Sequence, residues 1–238
     1  HAHGTHCAGT IGASGNNRIG VVGVNWEVSL VGPKFLGKQG FGYISDALKA
    51  TNYATMINAK LTSNSWGGGG HSSPMKKAIE KAGEEDIAFI AAAGNHRADN
   101  DRSPSYPASY ECANVIAVGA NDHQGRKASF SCYGKNSVDL FAPGVGILST
   151  VPGNKYDSYQ GTSMATPHVA GAYALVAAIQ PSWGMSQIKD SLLASVDPEE
   201  GLKEKCMSGD RLNVFKALST EPPKEKLVEV VPSTVDFG

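Results

Sequence analysis

Short apolar runs of strand length alternate with amphipathic, helix-like stretches along nearly all of this chain. That alternation narrows the fold more than any other feature. Residues 29–35, 87–93, 114–120 and 138–142 are each bounded by Gly, Asn or Pro, as strands buried on both faces of a parallel sheet are. Between them, Ser45 and Asp46 are placed to cap a helix running toward Ile57. Ser73 and Pro74 offer a cap and a first-turn proline for a helix over 75–82, with Gly83 as its stop. Strands alternating with helices predict an α/β fold: a doubly wound, mostly parallel sheet with helices on both faces.

Composition removes the competing classes. Lys and Arg number 21 against 22 Asp and Glu, so the chain lacks the basic excess of a nucleic-acid binder. Hydrophobic residues make up 41%, too many for a disordered chain. The longest apolar run, 169–179, is too short for a membrane span of about 18 residues. A length of 238 residues suits one large domain, or one domain plus a piece of another. The expected division is a main domain over 1–220, a charged, proline-bearing linker at 221–226, and a strand-like segment at 227–238. That last segment reads equally as the start of a following β domain or as a tail. The chain opens at His1-Ala2-His3 with neither Met nor leader, and so reads as an internal piece of a longer product. Four cysteines, Cys7, Cys112, Cys132 and Cys206, are too sparse for a disulfide scaffold, although two disulfides are compatible with secretion.

Three segments hold residues able to do chemistry. In Gly161-Thr162-Ser163-Met164, a serine follows a Gly-Thr turn and opens a long apolar helix. Its hydroxyl is aimed out of the turn, and its backbone N–H belongs to the partly positive helix end. Such a serine can attack a carbonyl and meet the oxyanion with the same residue, or it can simply cap a helix. His1, His3 and His6 open the chain. They approach the H-x-H-x-D-H pattern of a zinc hydrolase, but Thr5 stands where that pattern needs Asp. His3 alone could act as a base. Ala92-Ala93-Gly94-Asn95 ends an apolar run, where ligands of open α/β sheets gather, and Asn95 could turn its amide into that crevice.

Taken in order, His3-Gly4-Thr5-His6-Cys7-Ala8-Gly9-Thr10, Ala92-Ala93-Gly94-Asn95 and Gly161-Thr162-Ser163-Met164-Ala165-Thr166-Pro167-His168 resemble the subtilisin-like serine proteases, the subtilases. Ser65-Trp66-Gly67-Gly68, Tyr106-Pro107-Ala108, Ala128-Ser129-Phe130-Ser131 and Ala142-Pro143-Gly144 match as well, so the likeness runs from His3 to about Leu218. Cys7 beside the histidine resembles the thiol-bearing, proteinase K-like branch, and the bacterial subtilisins are similar elsewhere.

The resemblance implies a serine endopeptidase with Ser163 as nucleophile, His3 as general base, and Asn95 with the Ser163 N–H as oxyanion hole. Polypeptide substrate would lie as an added strand between Gly40-Phe41-Gly42 and Ser65-Trp66-Gly67. Ala93 and Gly94 would complete the wall of the primary pocket, which holds no acidic residue and so favours apolar or aromatic side chains. Gly15, Asn17, Ile19 and Val21 resemble the family's calcium loop, with the remaining ligands upstream. A pro-region and secretion follow from the family's habit. The third catalytic residue, an Asp on a strand before the histidine, would lie outside this chain. The expectation is a fold lacking its N-terminal strand, and a piece that is inactive and poorly folded alone. A non-catalytic, peptide-binding relative is the alternative.

Overall fold

The computed structural model describes residues 1–219, so the linker expected at 221–226 and the segment 227–238 lie outside the described residues. In chain order the elements are α1 (His3–Gly12), α2 (Ile44–Met56), β1 (Leu61–Asn64), α3 (Ser73–Glu84), β2 (Ala88–Ala92), β3 (Val115–Asn121) and β4 (Leu140–Pro143). A hairpin of β5 (Ile147–Val151) and β6 (Lys155–Tyr159) follows, then α4 (Thr162–Ile179), α5 (Met185–Ala194), β7 (Asp197–Pro198), β8 (Asp210–Arg211) and α6 (Val214–Ser219). The main sheet has the order β1-β2-β3-β4-β8-β7 and is parallel except for the last pair.

The two-residue period of a strand explains why this sheet needs helices on both sides. Ile90, Ile116, Val118, Leu140 and Ala142 point to one face, where Ala165, Val169, Ala172, Tyr173 and Val176 of α4 cover them. The intervening Phe89, Ala91, Val115 and Ala117 point to the other face and meet Met75 and Ile79 of α3. Both β2 and β3 are buried at every position, which is why their sequence reads as unbroken apolar runs. The doubly wound α/β class is therefore the one observed.

Beneath α5, Asp139 is buried. Its Oδ2 accepts from the Ala117 N–H at 2.7 Å, and its Oδ1 lies 3.5 Å from the Lys189 ammonium. That ammonium also donates to the carbonyls of Ala113 and Val115. Burial pushes the Asp139 carboxyl up, and Lys189 opposes the shift.

Local signals differ from expectation in four places. Residues 29–35 form no strand, and Leu30 and Val31 are 46% and 58% exposed. β1 is the edge of the sheet, and among the described residues the run 29–35 does not pair with its open side. The helix expected from Ser45 starts at Ile44 behind Tyr43, and Asp46 instead pairs with Lys49 in the first turn at 2.9 Å. The cap of α3 is Ser72, one residue earlier than expected, and its hydroxyl accepts from Met75 N. Gly83 does not stop that helix but lies inside it, pressed by Asn114; the left-handed residue beyond the end is Asp86. All four cysteines are free thiols.

Candidate active site

Ser163 sits in the first turn of α4, and what holds it follows from a proline. An α-helical N–H normally bonds the carbonyl four residues back, but Pro167 has none to give to Ser163. The orphaned Ser163 carbonyl is taken instead by the Ser65 hydroxyl at 2.9 Å and the Cys7 thiol at 3.4 Å. In return the Ser163 hydroxyl donates to the Ser65 carbonyl at 3.3 Å. The start of α4, the end of β1 and the middle of α1 are thereby tied at one serine. Neither Ser65 nor Pro167 was singled out for this role from sequence, although a proline four residues after a candidate nucleophile is a signal that could have been used.

Asn95 closes the arrangement from β2. The Thr162 N–H donates to Asn95 Oδ1 at 2.9 Å and the Thr162 hydroxyl does so at 3.1 Å, which fixes the carboxamide with Nδ2 free. The Thr162 hydroxyl accepts in turn from Gly94 N at 3.2 Å. Gly161 has φ 148°, a conformation that favours glycine. A Cβ there would lie 3.4 Å from Asn95 Nδ2 and 3.7 Å from both Ser163 N and Asn95 Oδ1, the last already accepting from Thr162. Two N–H donors thus border a space that only the missing side chain keeps open, the geometry suited to an oxyanion.

His3 begins α1. Its Nδ1 lies 3.9 Å from the Cys7 sulfur, and Cys7 in turn touches the Ser163 residue, so histidine and serine share one neighbour. Burial first, and the charge of His6 second, push the His3 imidazole below its ordinary value, which favours the neutral, proton-accepting form. Burial pushes the Cys7 thiol up to about 11, so it is a protonated donor at neutral pH and no rival nucleophile. Among the described residues no carboxylate pairs with His3.

His6 is engaged in holding structure. Its Nε2 is engaged by the carbonyls of Ile147 at 2.9 Å and Asp157 at 3.1 Å, and its ring stacks on Tyr159 at 4.4 Å. It locks the β5–β6 hairpin onto α1. Among the described residues, no group of three His, Cys, Asp or Glu is placed to hold a metal ion.

The expected substrate edges flank the site. Gly40, Phe41 and Gly42 lie in a loop beside His1, with Phe41 80% exposed; a Cβ at Gly40 would be 3.6 Å from His1 Nε2. Ser65, Trp66 and Gly67 follow β1, and Trp66 packs edge-on against Phe35 at 5.1 Å, which draws the two edges toward each other. Ala93 departs from expectation. It is fully buried among Cys132, Val138 and Phe141, with its N–H on the Val118 carbonyl and its own carbonyl taken by Asn100. It supports Gly94 from behind and offers a substrate nothing.

The loop expected to hold calcium lines a cavity of about 260 Å³ from Ser14 to Val22. Asn17 Oδ1 there already accepts from Ile19 N at 3.0 Å, and the stretch contains Arg18 but no carboxylate. Gly15, Asn17, Ile19 and Val21 can offer neutral oxygens, fewer than the six to eight that calcium takes.

A doubly wound sheet with a serine in the first turn of a helix, and a histidine that shares a neighbour with it, defines an α/β scaffold of the kind serine hydrolases use. Within that class the sequence comparison is specific: residues 1–214 match the subtilase family (peptidase S8), and the chain belongs to it. It is 45% identical over 192 residues to alkaline elastase YaB of Bacillus sp. (strain YaB), covering 81% of this chain and 49% of that protein. Identity to subtilisin BL of Lederbergia lenta is also 45%, over 81% of this chain and 69% of that protein. The chain spans about half the length of several curated relatives it matches. Among solved structures, the prenylagaramide maturation protease PagA superposes with a TM-score of 0.80 at 29% identity, covering 92% of this chain and 82% of that one.

Proposed function

We propose that this chain carries the nucleophile, base and oxyanion donors of a serine endopeptidase that cuts polypeptides through an acyl-enzyme at Ser163. The observation that carries the reading is the paired-donor space over Gly161, with Asn95 Nδ2 and Ser163 N at its edge. In this reading His3 takes the Ser163 proton as the hydroxyl attacks, and returns it to the leaving amine. The developing oxyanion leaves the plane of the substrate carbonyl and enters the space between the two N–H groups, where donors already fixed in place need no reorganisation. Substrate lies extended between Gly40-Phe41-Gly42 and Ser65-Trp66-Gly67, with Gly94 on the wall of the pocket for the residue before the cut.

His3 needs an orienting carboxylate, and we propose that residues outside this chain supply it. A calcium ion held by Gly15, Asn17, Ile19 and Val21, with further oxygens from outside the chain, would brace the 14–22 loop. Extracellular location and a pro-region in the precursor belong to the same proposal, on the strength of family membership.

A fluorophosphonate probe tests this. Labelling confined to Ser163, faster in a protein extended upstream of His1 than in the 238-residue chain, is the expected result. Absence of labelling at Ser163 in both forms rejects the nucleophile, and equal rates reject the external carboxylate. Stoichiometric peptide binding by the extended form without turnover would favour a non-catalytic relative.

A further inference from the structure

Immediately beside Asn95 the surface is strongly basic. Residues 94–98 and 128–133 run side by side, with Cys132 N donating to the Gly94 carbonyl at 2.9 Å, Arg97 N to Phe130 at 3.0 Å and Tyr133 N to Ala98 at 3.1 Å. Arg97 and Lys127 stand on this ribbon, and Lys205 joins them from the segment before Cys206. The Lys205 and Lys127 ammonium groups both lie over the Tyr133 ring, 4.7 and 5.4 Å from its centre. Lys127 is half-buried, and burial together with the charges of Lys205 and Arg97 pushes its ammonium toward deprotonation.

Three mutually repelling cations in one place would normally be neutralised by carboxylates, and here the nearby carboxylates are committed elsewhere. Asp99 faces Arg102, Glu204 pairs with Lys135, and Asp101 is saturated by Asn136 and Ser137. Among the described residues none forms an ion pair with Arg97, Lys127 or Lys205. Arg97 also adopts φ 64°, a conformation that its β-carbon disfavours and a glycine would not. The whole chain has a net charge of −1, so the concentration of positive charge is local.

We propose that this patch binds carboxylate side chains of the polypeptide substrate, so that the site selects an acidic residue close to the scissile bond. The inference rests on the protease reading and names its substrate class. Arg97 follows Asn95 by two positions, a span of at most about 7 Å along the chain. An acidic side chain within a few residues of the cut is therefore in range. The guanidinium can take a carboxylate with two parallel bonds, while Lys205 adds point charge held over the tyrosine; the Lys127 ammonium is engaged by the carbonyls of Ala128 and Ser131, both at 3.1 Å.

The test has a catalytic and a binding arm, both run on the natural protein that carries this chain. Peptides identical except for Glu, Gln or Lys at each position around the cut are compared in wild type and in the double variant Arg97→Gly, Lys205→Gln. Arg97→Gly relieves the backbone and leaves the ribbon's hydrogen bonds intact. The expected result is a kcat/KM ratio, Glu over Gln at the best position, of at least tenfold in wild type, collapsing toward one in the variant and at high salt. In the binding arm, Ser163→Ala protein binds the fluorescent Glu peptide at least tenfold more tightly than the Lys peptide, and the double variant loses that difference. Equal ratios in wild type and variant, or preference for Lys, would overturn the proposal. Failure of fluorophosphonate labelling would sink the protease reading, and the binding arm would still decide this one.

Discussion

Ser163 and Asn95 are fastened from several elements at once, whereas the His3 ring has a thiol as its side-chain neighbour, and residues 26–44 lie largely at the surface. Thr162 is fully buried and bonded to both Asn95 and Gly94, and Ser163 is tied to Ser65 and Cys7. On the other side, the nearest side-chain partner of the His3 ring is a thiol at 3.9 Å, and Trp26, Val31, Phe41 and Tyr43 are more than half exposed. The difference is physical. Oxyanion donors need rigidity, which short-range packing and a proline can supply. A base needs an oriented tautomer, which only a properly placed partner can supply. Among the described residues the serine half of the site is tied to Ser65 and Cys7, while in the histidine half the His3 ring meets the Cys7 thiol and is paired with no carboxylate.

The largest test of that contrast removes one group from each half. Ser163→Ala should lower turnover on the order of 10⁶-fold, the loss seen for the nucleophile of subtilisin, a family member. His3→Ala should cost about as much in a protein whose base is properly oriented. In the 238-residue chain it should cost far less, because an unoriented base has little to lose. Peptide turnover measures the Ser163→Ala effect, and fluorophosphonate labelling rates in the two backgrounds, each with and without His3→Ala, measure the other. An equal His3→Ala penalty in the two backgrounds would show that the histidine half is as complete as the serine half.

Next comes the support beneath the serine half. Lys189→Met leaves the Asp139 carboxylate buried without its cation and frees the carbonyls of Ala113 and Val115. Breaking one side of a buried pair costs about 3–5 kcal/mol, readable as a drop in the urea midpoint at unchanged slope. Asn95→Leu, of similar size, removes one oxyanion donor together with the acceptor that holds the Thr162 N–H and hydroxyl, and should cost at least about 10²–10³ in kcat with little change in KM. Loss in KM alone would mean that Asn95 holds substrate and not the transition state.

The contrast also explains what was legible in the sequence. Buried strands betray themselves by composition, so 87–93, 114–120 and 138–142 fell within two residues of β2, β3 and β4. Residues 29–35 carry the same apolar signal, yet strand formation depends on a neighbour that no local pattern records. β1 was missed because Leu61-Thr-Ser-Asn is short and polar, and the β5–β6 hairpin because β6 is mostly exposed and β5 only partly covered. At the site, His3, Asn95 and Ser163 were recognisable from motif order. The Ser65 and Cys7 bonds to the Ser163 carbonyl were not, since they arise from a vacancy that Pro167 creates across elements far apart in the chain.

That clamp predicts a smaller effect. Ser65→Ala removes the stronger of the two donors to the Ser163 carbonyl and should cost about 1 kcal/mol of stability, with a several-fold loss in labelling rate. Cys7→Ala should do less, because the remaining hydroxyl at 2.9 Å still satisfies the carbonyl. The reverse ranking would assign the positioning role to the thiol.

The mildest test uses pH to separate the halves. His168 lies deep in α4, its Nδ1–H donating to the Met164 carbonyl at 2.8 Å, and burial above all pushes its imidazole below the ordinary value of 6.5. His3 is shifted the same way, but it is less buried and screened by water. Both groups are held neutral in the fold, while the unfolded chain takes up protons below pH 6.5. The stability they contribute is therefore complete above that pH and lost as pH falls toward the folded-state values, with a slope of at most about 1.4 kcal/mol per pH unit for each group. His168→Gln should flatten the fall in the urea midpoint between roughly pH 6.5 and 5. The acid limb of Ser163 labelling should stay where it is, because that limb follows His3. A limb that moves with His168 would mean that the two regions share one titration, and the contrast between them would fail.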